Sequence, residues 1–368
     1  MTFLQLSLQK FGGGAIDALE FSEALRTLGI KHEVIVNAEN ELNDRWHSIP
    51  ERPVQRVYTY ASSIKSFSWH TILFRRVLRL LHLIKRIKPS VIYITHFHPW
   101  VFFVIFIRKF CKFKLIYALH EDPFSYKEKN NFFFNWLEKF CALRADIVVV
   151  HSKFMYQQVA SKISVPIHII PPGAYENYFL NYKKDIDTSK VRFLFLGRIE
   201  PYKGLEVLLR AYEAIARKYS NAELTIAGKG VVPIDLKEKF GENKLKIVNS
   251  WMSVEKLGEI IAHNDVLILP YIKASQSGIV SIALAYGLPV IASRVGALEE
   301  QVRDNETGYL FSVGDHADLA KKMENFLISP FLISEFGKNS YLFGRDELSW
   351  KNGVESFLVF LRSQNIII

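Results

Sequence analysis

Short apolar runs that alternate with amphipathic helical patterns are the feature that most constrains the fold of this 368-residue chain. The first half contains FLQLSLQ, HEVIVNA, SVIYITHF, FKLIYALH, ADIVVVHS and PIHIIPPG, with helical patterns between them, including residues 72–88 and 131–143. Strands that are apolar on both faces and separated by helices are typical of a parallel, doubly wound sheet. The first half therefore predicts one such domain.

The same alternation is repeated after a polar stretch at residues 181–190. Strand patterns VRFLFLG, AELTIAG, LKIVNS, DVLILPY and GYLFSV follow, with helical patterns between them. We therefore predict an α/β chain of two Rossmann-like, doubly wound parallel-sheet domains that face each other across a cleft. The predicted divisions are a first domain at 1–180, a linker at 181–190, a second domain at 191–345, and a C-terminal helix at 346–368 that returns to the first domain.

The positive charge is concentrated in the first half. Residues 1–180 contain 23 Lys and Arg against 14 Asp and Glu, and no acidic residue occurs between Glu51 and Glu121. In TILFRRVLRLLHLIKRIKP, apolar residues have helical spacing beside these cations, which fits either contact with an anionic membrane or an ordinary helix packed on its sheet. Because aromatic residues do not alternate with Lys and Arg, nucleic acid is not an expected partner.

Two cysteines, Cys111 and Cys141, give no disulfide framework, which favours a reducing compartment. The N-terminal residues lack the pattern of a signal peptide, and the most apolar run, WVFFVIFI, is shorter than the roughly 20 residues of a membrane-spanning helix. The expected location is the cytoplasm, either free or bound peripherally to the inner face of the cytoplasmic membrane.

The segment FLFLGRIEPYKGLEVLLRAY places Arg198 and Lys203 on a loop between a buried strand and a helix. Ligands of doubly wound sheets bind outside the carboxyl ends of the strands. Two cations on such a loop suit a diphosphate, because Arg forks two oxygens and Lys adds a point charge. The alternative is that both are solvated loop cations.

This loop, G-R-I-E-P-Y-K-G, resembles the G-R-x-x-x-x-K-G signature of the retaining GT-B glycosyltransferases of family 4, also called glycosyl transferases group 1. The segments IHIIPPGAYENYF, LTIAGKG, SVEKLGEIIAHNDVLILPY and GLPVIASRVGALEEQVRDNETGYLF are similar to family segments in the family's order, between about residues 165 and 325. The first 160 residues match only in outline.

The resemblance implies transfer of a sugar from a nucleotide diphosphate-sugar to a glycan or lipid-linked acceptor. It also implies retention of configuration, no metal requirement, and a role in the biosynthesis of a surface polysaccharide such as lipopolysaccharide. Arg198 and Lys203 are then expected to stabilise the leaving diphosphate. The D-x-D sequence at Asp185 and Asp187 lies in the predicted linker and is expected to be solvated rather than metal-binding, so no cofactor is expected.

The loop that begins at Ala274 departs from the family, which usually has two glutamates in the pattern E-x7-E. Ala274 and Ile282 stand at those two positions. The remaining sequence resembles a Q-S-G version seen in some branches, which implies that backbone N–H groups and neutral side chains bind the donor. The expected donor-binding residues of this region are Gln276, Ser277, Gly278, Ile279, Val280 and, in a later loop, Glu300, for which the alternative is a helix-start carboxylate.

The missing glutamates leave a second function open, that of a non-catalytic nucleotide-sugar-binding or scaffold subunit with the same fold. A further alternative keeps the fold but makes a soluble disaccharide or glycosylates a protein.

Three glycines, Gly12, Gly13 and Gly14, follow the first strand pattern. Such a turn allows close approach of a ligand to the backbone, although a simple tight turn explains it as well. In the family this loop lies near the donor phosphates, so the three are expected donor-binding residues.

Polar residues also end two other strand patterns of the first half. The resemblance implies that His120 contacts the transferred sugar through a hydrogen bond rather than by proton abstraction. Glu121 and Asp122 are acceptor candidates or caps of the following turn. His96 and His98, at i and i+2, suggest a metal site, but no third ligand is evident, so acceptor contact or a structural role is expected.

Overall fold

The computed structural model describes residues 2–47, 54–59, 75–124, 132–175, 189–233, 236–241 and 243–366. Contacts divide the chain into two units, one formed by Met1–Pro172 with Trp350–Ile368 and the other by Gly173–Ser349. The division after Pro172 lies earlier than the predicted boundary at residue 180. Residues 181–188 of the predicted linker, with Asp185 and Asp187, lie outside the described residues.

The first unit contains a seven-stranded parallel sheet in the order β3-β2-β1-β4-β5-β6-β7. Its strands are β1 (Phe3–Ser7), β2 (His32–Asn37), β3 (Val54–Val57), β4 (Val91–Ile94), β5 (Lys114–Leu119), β6 (Ile147–Val150) and β7 (Ile167–Ile169). Its helices are α1 (Gly13–Thr27), α2 (Asn43–His47), α3 (Arg75–Ile87), α4 (Val101–Ile107), α5 (Phe132–Arg144), α6 (Lys153–Val159) and α14 (Trp350–Ser363).

The strands of this sheet are apolar because helices cover both faces. All five residues of β1 are buried, and β1 lies in register between β2 and β4, with Phe3 opposite His32 and Val91. The last helix, α14, packs on α1 and β7. Its Phe357 ring lies 6.1 Å from the ring of Phe21 and 5.9 Å from that of Tyr93.

The second unit contains a six-stranded parallel sheet in the order β10-β9-β8-β11-β12-β13. Its strands are β8 (Val191–Leu196), β9 (Ala222–Ala227), β10 (Leu245–Val248), β11 (Val266–Leu269), β12 (Val290–Ser293) and β13 (Gly308–Phe311). Its helices are α7 (Leu205–Lys218), α8 (Leu236–Phe240), α9 (Val254–Ala262), α10 (Gly278–Tyr286), α11 (Leu298–Gln301), α12 (His316–Ile328) and α13 (Phe331–Asp346), with a 3₁₀ turn at Pro201–Lys203.

Two parallel-sheet α/β units confirm the predicted fold class. Helix starts in both units follow local chemistry, because the side chains of Ser152, Ser253 and Asp315 accept hydrogen bonds from backbone N–H groups in the next turn. Among the described residues, no helix combines the length and the apolar character needed to cross a bilayer.

Candidate functional site

The loop after β8 is fixed by a glycine at its end. Gly204 has φ +69°, and a Cβ atom at this position would lie 1.8 Å from the carbonyl oxygen of Pro270, which follows β11. Only glycine avoids both the backbone strain and the collision. The Ile272 N–H donates to the Tyr202 carbonyl at 2.8 Å, which further holds the loop after β8 against the loop after β11. Neighbouring strands therefore bring two predicted ligand loops together.

Lys203 lies against aromatic rings rather than in solvent. Its Nζ is 3.7 Å from the ring centroid of Tyr271 and 5.2 Å from that of Tyr202. Burial, together with the nearby charge of Arg198, lowers the pKa of Lys203 to about 7, against the opposing effect of Glu200. Because burial disfavours the charged form of Lys203, a bound anion would stabilise that form.

Arg198 is the exposed member of the pair, with 63% of its side chain accessible. One guanidinium nitrogen lies 2.7 Å from Glu200 Oε1, and the other donates to the Tyr202 hydroxyl at 3.4 Å. Its guanidinium remains accessible for a bidentate contact with an oxyanion. Arg198 and Lys203 are thus brought together at the carboxyl edge of the second sheet, as predicted for a diphosphate site.

The start of α10 forms the other side of this site. A Cβ atom at Gly197, the residue after β8, would meet Ile279 Cγ1 at 4.0 Å, so the two loops are adjacent. Gly278 and Ile279 are the first residues of a nine-residue helix, where backbone N–H groups have no intrahelical acceptor and favour anions. Val280, one residue further on, is buried and donates its N–H to Ser277, so it contributes packing.

The loop before α10 is held by the side chain of Gln301, which sequence analysis did not identify as part of the site. Gln301 in α11 is 3% exposed; its Oε1 accepts from the Ser277 N–H at 2.9 Å, and its Nε2 donates to the Ser277 carbonyl at 3.2 Å. Ser277 Oγ also lies 3.3 Å from the Tyr271 hydroxyl. This amide clamp joins α11, with the predicted residue Glu300, to the loop before α10.

Two further side chains of this region matter for a donor. Gln276 Oε1 is buried and has no hydrogen-bond partner among the described residues. Ile282, at a position where the family usually has a glutamate, is buried in α10 and carries no hydrogen-bonding group. Polar contacts to a donor in this region therefore depend on the Gln276 amide, the two serines and the start of α10.

In the first unit, the predicted glycine turn contacts a histidine. Gly12 precedes α1 with φ +89° and donates its N–H to Glu41 Oε1 at 2.7 Å, while Gly13 and Gly14 form the first turn of the helix. A Cβ atom at Gly14 would lie 2.1 Å from His96 Nε2. Gly14 is therefore required for His96 to occupy its place.

Three histidine rings lie in contact beside this turn, with those of His96 and His120 stacked and that of His151 tilted by 34°. The ring of His120 lies 3.6 Å from that of His96 and 4.2 Å from that of His151. Burial, with the neighbouring rings, lowers the pKa of His96 to about 3 and that of His120 well below its ordinary value; burial also lowers the pKa of His151 to about 4. All three rings are neutral at pH 7. Sequence analysis did not identify His151, because the strand before it, β6, lies further along the chain.

His120 Nε2 donates to the Thr95 carbonyl at 2.8 Å, because a carbonyl only accepts, so Nδ1 is the acceptor nitrogen of this ring. A neutral ring with a strongly lowered pKa is a poor general base but a good hydrogen-bond partner. This geometry fits the hydrogen-bonding role that the resemblance implies for His120.

A third potential metal ligand, Asp17 of α1, does lie near His96 and His120, with their ligand atoms within 4.8 Å of one another. Sequence reasoning missed it because α1 and the two strands are far apart in the chain. However, the two imidazole planes are stacked at 19°, so their nitrogen lone pairs do not converge on one point. The arrangement as it stands does not suit a single ion.

The structure places the other predicted residues of the first unit in loops and turns. Because β4 ends at Ile94, His96 and His98 lie on the following loop and do not share a strand face. His98 Nδ1 accepts from the Trp100 N–H at 3.2 Å. Asp122 accepts from the Phe124 N–H at 2.8 Å and pairs with Lys162 at 2.9 Å, as a turn cap does, while Glu121 is exposed.

Comparisons with known proteins match both units. Residues 11–176 match the family model described as Glycosyltransferase Family 4, and residues 190–329 match that described as Glycosyl transferases group 1. A Klebsiella pneumoniae protein called an uncharacterized 41.2 kDa protein in the cps region is 26% identical over 79% of this chain and 84% of its own length. The phosphatidyl-myo-inositol mannosyltransferase of Mycobacterium leprae is 36% identical over 38% of each chain.

Among solved structures, Anabaena HepE in complex with UDP and glucose superposes with a TM-score of 0.74 at 17% identity, covering 99% of this chain and 100% of that one. The chain spans about half the length or less of several other curated relatives that it matches.

Proposed function

Since the chain belongs to the GT-B glycosyltransferases, with a family 4 domain followed by a group 1 domain, we propose that it transfers a sugar from a nucleotide diphosphate-sugar to a glycan or lipid-linked acceptor. The proposal includes retention of configuration, independence of metal ions, and a role in surface polysaccharide biosynthesis. The protein would act in the cytoplasm, with peripheral attachment to the inner face of the membrane.

One observation carries this proposal. Arg198 and Lys203 share a loop at the carboxyl edge of the second sheet, and Tyr271 links Lys203 to Ser277 at the start of α10. Two cations and the first N–H groups of a helix form a site for two linked phosphates. The UDP complex of HepE and the phosphatidylinositol acceptor in the name of the M. leprae relative support a nucleotide-sugar donor and a lipid-linked acceptor.

The proposed mechanism requires little of the protein beyond charge and position. As the glycosidic bond breaks, negative charge grows on the diphosphate, and Arg198 and Lys203 neutralise it. The departing phosphate takes the proton of the acceptor hydroxyl, so no strong protein base is needed. His120 Nδ1 accepts a hydrogen bond from the transferred sugar, and Gln276 and Glu300 contact the donor.

The test is release of nucleoside diphosphate by the full chain from UDP-, GDP- and ADP-hexoses, with and without an extract of glycans and lipid-linked sugars. The proposal predicts acceptor-dependent release from one nucleotide series, unchanged by EDTA, with the anomeric configuration of the donor kept in the product. The scaffold alternative predicts nucleotide-sugar binding without turnover.

The lowered pKa of Lys203 predicts how diphosphate binding changes with pH. Raising the pH above about 7 deprotonates Lys203 in the free protein, so a diphosphate then binds only with uptake of a proton. We expect the dissociation constant of the bound nucleoside diphosphate to rise by up to about tenfold per pH unit between pH 7 and 9. Isothermal titration calorimetry at several pH values measures this slope.

Two variants test whether Lys203 is the group that causes this pH dependence. Lys203→Met keeps the apolar stem on Tyr271 but has no titrating group, so its affinity should be flat over this range. Arg198→Ala removes a charge that lowers the pKa of Lys203. In this variant, the pH above which diphosphate affinity falls should therefore be higher. An unchanged slope in Lys203→Met would assign the pH dependence to another group.

A further inference from the structure

An open apolar groove of about 600 Å³ runs between α3 and α4 in the first unit. None of the residues assigned above lines this groove. Its walls are formed by Leu78, Leu81, His82 and Lys85 on one side and by Phe102, Phe103, Phe106, Ile107 and Phe110 on the other.

The rim of this groove exposes large aromatic side chains. Phe106 is 55% exposed and Phe110 is 74% exposed. The apolar surface continues onto α5, because the Phe102 ring lies 5.6 Å from Phe140, whose ring lies 5.9 Å from that of the exposed Trp136. Contiguous apolar surface of this kind marks a contact with another molecule.

The exposed charges on α3 and α4, the two helices that line the groove, have one sign. Lys109 Nζ lies 4.8 Å from the Phe106 ring centroid, and Lys85 Nζ lies 6.0 Å from that of Phe110. Neither lysine forms an ion pair with any residue that the structure describes. α3, α4 and the segments that follow each of them contain no acidic residue, and they add exposed cations at Arg79, Arg86 and Lys112. The complementary partner is therefore apolar and anionic.

We propose that this α3–α4 face binds an anionic membrane surface, with a lipid hydrocarbon chain in the groove and lipid phosphates at Lys85 and Lys109. Exposed aromatic side chains flanked by lysines and arginines are typical of helices that lie in a bilayer interface. A second copy of the chain fits poorly, because a symmetric contact would bring the same cations together. The inference deepens the proposed function and rests on it only for the presence of lipid-linked substrate at the membrane.

The test is co-sedimentation of the full chain with vesicles of phosphatidylglycerol and phosphatidylcholine, and with vesicles of phosphatidylcholine alone. We expect binding to the anionic vesicles that weakens with added salt. The double variants Phe106→Ser/Phe110→Ser and Lys85→Glu/Lys109→Glu should each lower the vesicle partition coefficient by at least about tenfold. A matched control, Phe331→Ser with Lys338→Glu, changes one exposed phenylalanine and one exposed lysine of α13 in the second unit and should leave it unchanged.

The substituted side chains are exposed, so thermal unfolding should match that of the wild type and separate lost binding from lost folding. Equal binding to both kinds of vesicle, no binding to either, or equal loss in the control would overturn the proposal. So would a wild-type dimer that Phe106→Ser/Phe110→Ser converts to a monomer, because the face would then bind a second copy. Diphosphate affinity, measured without vesicles, should be the same in the wild type and in all these variants. If the chain binds vesicles but no diphosphate, the proposed function is wrong while the proposed membrane-binding face is supported.

Discussion

Replacing Arg198 or Lys203 with alanine is expected to lower the turnover number for sugar transfer by about 100-fold or more. The reason is that each cation opposes charge that grows on the leaving diphosphate, so its loss raises the barrier by at least about 2.7 kcal/mol. The measurement is the rate of nucleoside diphosphate release at saturating donor, once the donor series is known. At saturation the loss reports the chemical step rather than donor binding.

Arg217→Ala is the matched control, since Arg217 is an exposed cation in the last turn of α7 in the same unit. It should keep the wild-type rate. Arg198→Lys keeps the charge but loses the planar fork, and an intermediate rate is expected. Rates within about threefold of wild type for both alanine variants would mean that the loop cations do not act on the leaving group.

Removing the amide clamp of Gln301 is the second change with a large expected effect. Gln301→Leu fills the same buried space but leaves the Ser277 N–H without its partner. It also removes one of the two hydrogen bonds to the Ser277 carbonyl, which still accepts from the Val280 N–H. An unsatisfied buried N–H costs about 1–3 kcal/mol and the loss of the second hydrogen bond about 1 kcal/mol, so we expect the free energy of unfolding to fall by about 2–4 kcal/mol. Because Ser277 precedes α10, diphosphate affinity should fall by about tenfold as well. Chemical denaturation and calorimetric titration measure the two losses.

Gln301→Glu separates the two hydrogen bonds of the clamp. Its carboxylate can accept from the Ser277 N–H but cannot donate to the Ser277 carbonyl, so a smaller loss of stability is expected than for Gln301→Leu. Gln276→Ala, in the same loop, should lower diphosphate or sugar-nucleotide affinity with little change in unfolding, because Gln276 Oε1 makes no hydrogen bond in the described structure. Equal stability of Gln301→Leu and wild type would show that the clamp does not hold the loop.

The fold was predictable because its signal is local. Most strands carry their own apolar run and most long helices carry their own apolar spacing, as β8 and α7 illustrate with VRFLFL and LEVLLRAYEAIARK. The edge strand β3, with the sequence VQRV, was not predicted because it has no such run. A C-terminal helix that returns to the first domain was also among the predictions. The predicted boundary between the two units rested on a compositional signal, the polar stretch at 181–190. Contacts instead place the division after Pro172.

The candidate site was predictable only where one loop holds the chemistry. Arg198, Lys203 and the start of α10 follow from strand ends and glycines. Gln301 was missed because a glutamine on a short helix is ordinarily exposed, and only the packing of α11 on the loop before α10 buries it. The contact of the His120 ring with those of His96 and His151 was likewise not predicted, since it depends on the order of the strands rather than on spacing in the chain.

The most direct test of the central claim is a calorimetric binding panel of UDP, GDP, ADP and CMP with the wild-type chain, Arg198→Ala and Lys203→Ala. The account predicts that one diphosphate binds the wild type and that both variants lose most of this affinity, while CMP, with a single phosphate, binds weakly. If no diphosphate binds, or if the variants bind as tightly as the wild type, the second unit does not hold the leaving group through this loop.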